Sequence, residues 1–166
     1  MSQTDLEYWL LRTTDEIKAV YNTKLALVES LKAADDTKFG LSPVTLGPIN
    51  DKAFFYQDFG IEAANYDCFI LFKWGSAVDL TAGGQGSETV NLVTTLYIGD
   101  NFSSDSEKHA RRILRYRRAL KASLVHAYHT LNHQGFTLLT LPDGLYNVTN
   151  RHMWAIPIVA EFNFAG

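Results

Sequence analysis

The chain has 166 residues, 46% hydrophobic and 20% charged, which fits one folded domain with a sizeable core and excludes a disordered protein. A formal net charge of -3 gives no overall basic balance for nucleic acid, and the lone Cys68 excludes an internal disulfide, so a reducing compartment is acceptable. No stretch approaches the roughly 18 apolar residues that span a bilayer, so no membrane partner is expected.

The opening MSQTDLEYWLLRTTDE is acidic early and lacks a basic region followed by an apolar one, so no signal peptide is expected. The chain reads as cytosolic, soluble and a single domain over 1–166. Thr13 and Glu16 have capping-box spacing and mark a helix start. Ile17, Val20, Tyr21, Leu27, Val28 and Leu31 follow at helical spacing and define one apolar face, with the helix ending near Asp36, before Gly40 and Pro43. Leu6 to Leu11 reads as a separate helical turn or as a segment that docks on a neighbouring chain.

A loop from Phe39 to Asp51 holds two prolines and two glycines. Strand-like runs follow at Ala53 to Phe59, Asp67 to Trp74 and Glu88 to Ile98. In the last, Val90, Leu92, Thr94, Leu96 and Ile98 alternate on one face. Between the second and third runs, Asp79 to Glu88 carries Gly83, Gly84 and Gly86 and is longer than a tight hairpin needs, so it is expected to project.

Ser104 and Glu107 form a second capping box, opening a helix with apolar positions Ala110, Ile113, Leu120, Leu124, Ala127 and Leu131, stopped by Gly135. Phe136 to Leu141 reads as a strand and Pro142 to Gly144 as a turn. Trp154, Ile156, Ile158, Ala160, Phe162 and Phe164 then alternate in a final strand. Pro157 within that strand has no amide hydrogen to donate, which suggests an edge position or a bulge. The expected fold is α+β: a mixed, mainly antiparallel sheet with two main helices on one face, in the order α-β-β-β-α-β-β.

The second helix concentrates the positive charge, with seven Lys or Arg residues from Lys108 to Lys121. On a wheel of about 100° per residue, Lys108, Arg111, Arg112, Arg115 and Arg118 fall on the polar side. Arg117 lands in the apolar arc and Lys121 near its border. Three readings stand: a solvated face whose long stems cover core edges, a surface that neutralises phosphates, or a subunit interface. Arg111, Arg115, Arg117 and Arg118 are the interface candidates on this helix, joined by Asp79 and Glu88 from the glycine-rich loop.

His126, His129 and His133 fall within about 60° on the polar side of the same helix, a spacing that can converge on one metal. The segment is not HExxH and has no neighbouring Glu as general base, so an exposed histidine cluster is the plainer reading. Gly83 to Gly86 lacks the ending of a phosphate loop, and Ser76 and Ser87 lie outside any nucleophile elbow. Cys68 begins an apolar strand and reads as core. No nucleophile, base and oxyanion site come together, so enzymatic activity and cofactors are not expected.

The segment Glu107-Lys-His-Ala-Arg-Arg-Ile-Leu-Arg-Tyr-Arg-Arg-Ala-Leu120 and the ending Trp154 to Phe164 carry a resemblance. In element order the chain resembles the tail terminator and related head-tail joining (neck) proteins of tailed bacteriophages. In that family an Arg- and Tyr-containing helix follows the central strands and a final strand returns to the sheet. The resemblance implies a virion protein assembled in the bacterial cytoplasm: a homohexameric ring that caps the tail tube, joins it to the neck or connector, adjoins a sheath where one exists, and lets genomic DNA pass through. Competing readings are another neck component (a stopper or tail-completion protein), the tube protein itself, a small-ligand-binding α+β domain with an aromatic pocket, and a metal hydrolase built on the three histidines. An arginine inside an apolar stripe needs a carboxylate. If Arg117 is an interface or buried ion-pair residue, Arg117→Ala weakens assembly or stability much more than Arg112→Ala, whereas equal, negligible effects mark it as a solvated side chain.

Overall fold

A computed structural model describes residues 6–74, 88–99, 105–131, 135–140, 144–148 and 151–164. Helix α1 spans Leu6–Phe39 and helix α2 spans Ser106–Leu131. The strands are β1 (Phe54–Tyr56), β2 (Cys68–Trp74), β3 (Glu88–Gly99), β4 (Gly135–Thr140), β5 (Gly144–Val148) and β6 (Arg151–Phe164), with a 3-10 helix, Ile61–Asn65, between β1 and β2. The sheet order is β1-β2-β3-β6-β4, with β5 also on β6. Among the described residues only the β1–β2 pair is parallel. The class is therefore α+β with a mixed, mainly antiparallel sheet.

Helix α1 is continuous from Leu6, so Thr13 and Glu16 do not open it. Thr13 and Thr14 are buried inside the helix, where Thr14 Oγ1 donates to the Leu11 carbonyl at 2.9 Å. Leu10 is buried in the chain's own core rather than held for a neighbour. The apolar face is also narrower than its spacing suggests: Ile17, Tyr21 and Val28 are buried, while Leu27 and Leu31 are exposed. The helix runs one turn's length past the expected end. Gly40, at φ 66°, donates to Thr37 O, and the Leu41 amide donates to Asp36 O at 2.8 Å. Those two bonds form a Schellman stop, which needs the left-handed residue that glycine supplies.

The segment from Gly40 to Lys52 has no regular structure, yet it is firmly tied. Asn22 donates its side-chain amide to Ile49 O at 2.8 Å and accepts from Ile49 N at 2.9 Å, standing in for a neighbouring strand. Tyr116 donates its hydroxyl to Gly47 O at 2.7 Å. Val44, Leu46 and Ile49 are thereby pinned in the core.

Alternation on β2, β3 and β6 assigns two faces. Cys68, Ile70 and Phe72 lie beside Ile98, Leu96 and Thr94, which lie beside Trp154, Ile156 and Ile158. That face meets both helices. Tyr116 and Arg112 of α2 reach Cys68, His109 packs on Trp154, and Lys18 of α1 lies over the rings of Phe54 and Tyr56. The opposite face carries an aromatic cluster. Phe69 stacks on Tyr97 at 4.7 Å, and Phe59 meets both rings at 5.3 and 5.4 Å. Phe55 meets Phe69 edge-on at 5.5 Å. The short crossover from β1 to β2 sits on this cluster.

Strand β6 is central, not an edge: β3 pairs along its length on one side, and β4 and β5 share the other. Thr140 pairs with Ile158 and Gly144 with Ala155, so the described pairing on this side of β6 breaks at Ile156 and Pro157. Pro157 sits where the second ladder is interrupted, the place where a missing amide hydrogen costs least. The turn expected at Pro142 to Gly144 falls mostly on residues 141–143, which lie outside the described residues, and Gly144 opens β5. Both β4 and β5 pair antiparallel with β6 and so run in the same direction along it. Gly135 belongs to β4, paired with Asn163, rather than capping α2.

Thr94 is fully buried on the helix-facing side, and its hydroxyl has no hydrogen-bond partner among the described residues. Thr94→Val keeps the shape and removes the desolvated hydroxyl. It is expected to raise stability by roughly 1 kcal/mol, read from the urea midpoint at unchanged slope.

Candidate functional site

Helix α2 begins at an aspartate. Asp105 accepts the Lys108 amide on its side chain at 3.1 Å and the His109 amide on its backbone carbonyl at 3.1 Å, so Asp105 is the N-cap, in place of Ser104, which lies outside the described residues. The helix packs against both α1 and the sheet. His109, Arg112, Ile113, Arg115, Tyr116, Ala119, Leu120, Ser123, Leu124 and Ala127 all face inward. A helix with two packed neighbours needs a wider inward arc than its aliphatic residues supply, and arginines fill the remainder with their stems.

This changes the wheel assignment. Arg112 and Arg115, expected on the polar side, are each only 6% exposed, whereas Arg117 is half-buried and Ala110 exposed. Arg112 donates to the Gly99 carbonyl at 3.1 Å, reaches Cys68 Sγ at 3.5 Å and lies 5.4 Å above the Tyr116 ring. It joins the end of β3 to α2. The wheel omitted the positions that decide its phase, the buried His109, Tyr116 and Ser123.

Arg115 and Arg111 meet Asp36, in the last turn of α1. Arg115 Nη2 donates to both carboxylate oxygens at 2.6 and 2.8 Å, and Arg111 Nη2 lies 2.8 Å from Oδ1. Arg111 also donates to Ser42 O at 2.8 Å and to Glu107 at 3.3 Å. Asp36 is 4% exposed. A buried carboxylate near a helix C-terminus opposes both solvation and the helix dipole, and two guanidinium groups offset both effects. The Arg115 hydrogen bond, helped by Arg111 and opposed by burial, holds the Asp36 carboxyl below its ordinary range. No local pattern announces this partner, which is 79 residues from Arg115.

Tyr21 donates to the Tyr116 carbonyl at 3.3 Å, and His126 Nε2 lies 3.6 Å from Glu16 Oε2. Together with Asp36 and Arg115, these contacts set α1 and α2 antiparallel. A groove of about 900 Å³ runs along the pair. Lys24, Arg117, Arg118 and Lys121 line it, over Leu114 and Val125. A smaller recess of about 360 Å³ around Asp36 shares Leu114 and Arg118 and includes the exposed Phe39.

His126 and His129 both border the larger groove, and His133 lies outside the described residues. A carboxylate does stand near His126, supplied by Glu16 from α1 and therefore hidden from a reading of α2 alone. Among the described residues no group of three His, Cys, Asp or Glu is placed to hold a metal ion. Asp79 lies outside the described residues, and Glu88 opens β3 opposite Phe164. Of the six interface candidates, α2 thus commits Arg111 and Arg115 to its own chain and presents Arg118, with Arg117 beside it, to the groove. Among the described residues no helix is long and apolar enough to cross a membrane.

Asp36→Ala leaves two guanidinium groups facing a vacated buried site and is expected to cost about 3–5 kcal/mol in urea unfolding. Because the folded-state pKa is lowered, this stabilisation is present above the ordinary carboxylate range and is lost as pH falls through the folded value. Wild-type stability should therefore drop more steeply below about pH 4 than that of Asp36→Asn. For stability, burial also reverses the expected arginine order. Arg112→Ala should lose roughly 1–3 kcal/mol, and Arg117→Ala less, in the same measurement.

No protein-family model matches the chain, and no curated protein matches it.

Proposed function

We propose that the chain is a structural virion protein of the tail-neck region of a tailed bacteriophage, a ring-forming tail terminator through which DNA passes. The observation that carries this reading is the order and stacking of the elements. Two long antiparallel helices lie on one face of a mixed sheet, the arginine- and tyrosine-bearing α2 follows the central strands, and β6 returns to the middle of the sheet. That is the arrangement expected from the resemblance.

The mechanism is physical. Subunits close into a ring through head-to-tail contacts, stack on the last ring of the tail tube, and hide the surface that would recruit another tube subunit. The opposite rim then meets the neck or connector protein. A net charge of -3 suits a conduit along which phosphates slide without sticking. The partners are copies of itself, the tube protein, the neck protein, a sheath where present, and DNA in transit. Another neck component, a stopper or tail-completion protein, would share this chemistry and differ in the partner bound.

Native mass measured alone and with isolated tail tubes tests the reading. A particle near six times the 18.6 kDa chain, or a monomer that becomes a ring on tube ends, is the expected result. A chain that stays monomeric in both conditions and leaves tube length uncontrolled in an assembly reaction would overturn it.

A further inference from the structure

Two surfaces on opposite sides of the molecule carry complementary chemistry. On the helical side, the α1–α2 groove presents Lys24, Arg117, Arg118 and Lys121 around an apolar floor of Leu114 and Val125, with no carboxylate among its described lining residues. Leu114 is 58% exposed, with Arg117, Arg118 and Lys121 lining the same groove. On the far side of the sheet, residues 57–67 cross from β1 to β2 and contain Asp58, Glu62 and Asp67 but no Lys or Arg. At their tip Ile61 is 83% exposed.

We propose that the groove receives this crossover from a second copy of the chain, with Ile61 seated on Leu114 and Val125 and the acidic side chains facing Arg118 and Lys121. The proposal rests on the ring reading above and assigns it a contact. Three observations support it. First, a groove with cationic walls and an apolar floor fits an acidic segment that carries an apolar side chain; a phosphate backbone would satisfy the walls and leave the floor bare. Second, the crossover is held in shape before contact. Phe59 and Tyr66 anchor it to the aromatic cluster, Gln57 (φ 62°) and Gly60 (φ 50°) fix its bends, and Asp58 accepts the amides of Phe59 and Gly60 at 2.7 and 3.4 Å. Little order remains to be gained on binding, which keeps the entropic penalty small. Third, the two surfaces lie on opposite faces, since the crossover packs on Phe69 and Tyr97 while the groove is on the helices. Such a pair joins copies head to tail, the geometry that closes rings.

The test is native mass over a concentration series with the full chain. Arg118→Glu with Lys121→Glu reverses the groove, and Ile61→Lys with Glu62→Lys reverses the crossover; all four positions are exposed, and thermal melting checks that each variant folds. Lys121→Ser and Glu62→Gln are milder versions should a double variant melt early. Each reversed variant is expected to weaken self-association at least about tenfold, and an equimolar mixture of the two to regain it. Wild-type association should also weaken with added salt. A wild-type oligomer whose mass neither variant changes would overturn this contact and leave the ring reading standing. A wild-type chain monomeric throughout, alone and with tubes, would overturn both. Oligonucleotide binding lost on groove reversal, with self-association intact, would overturn it in favour of a polyanion site.

Discussion

One carboxylate, Asp36, sets the arrangement of the helical layer. It lies in the turn that ends α1 and is clasped by Arg111 and Arg115 from the N-terminal half of α2, so it fixes how far one helix is displaced along the other. A buried ion cluster of this kind contributes modestly to net stability relative to a well-packed apolar alternative. Its distinctive effect is on register: sliding α2 by one turn would strand a charge in the interior. The same turn launches the segment from Gly40 to Lys52, whose path is then held by Arg111 at Ser42, Tyr116 at Gly47 and Asn22 at Ile49. Both helices and the link to β1 thus share a few polar anchors, each a specific partner rather than a diffuse apolar contact.

With the helices so placed, their inner and outer sides do different work. The inner half of α2 spends Arg112, Arg115 and Tyr116 on holding the chain together, while the outer half keeps Leu114, Arg118, Lys121 and Val125 on the surface. The high density of positive charge is therefore two populations, one structural and one available to a partner. A charge already neutralised within the chain contributes little to recognition by a partner, so only the outer group bears on the contact proposed above.

Much of the sheet was legible in the residues. The period-two runs ending at Ile98 and Phe164 mark β3 and β6, since a strand with one face in the core must alternate. Pro157 does not mark an edge strand; it lies at the break between the β4 and β5 ladders, where a missing amide hydrogen is tolerated within a central strand. Strand β5 escaped because Gly144–Val148 is short and lacks a bounded alternating pattern; only its pairing with β6 defines it. The start of α1 escaped because Thr13 and Glu16 match a cap that tertiary burial overrides. Among the candidate site residues, the charge run identified the helix. It could not distinguish Arg115 from Arg118, because the difference lies in a carboxylate brought from another helix.

The topology also places a demand on the order of folding. Strand β6 supplies the partner edge for β3, β4 and β5, and it is the last of these elements in the chain. As the polypeptide emerges N-terminus first, α1, β1, β2, β3 and α2 can gather, yet β3 keeps an open apolar edge until residues 151–164 arrive. Strands β4 and β5 have no described partner strand before then. An open edge of that kind is a template for pairing with the wrong chain. The edge of β3 is therefore closed only when β6 inserts into the middle of the sheet, so the risk of wrong pairing lasts until that strand is in place.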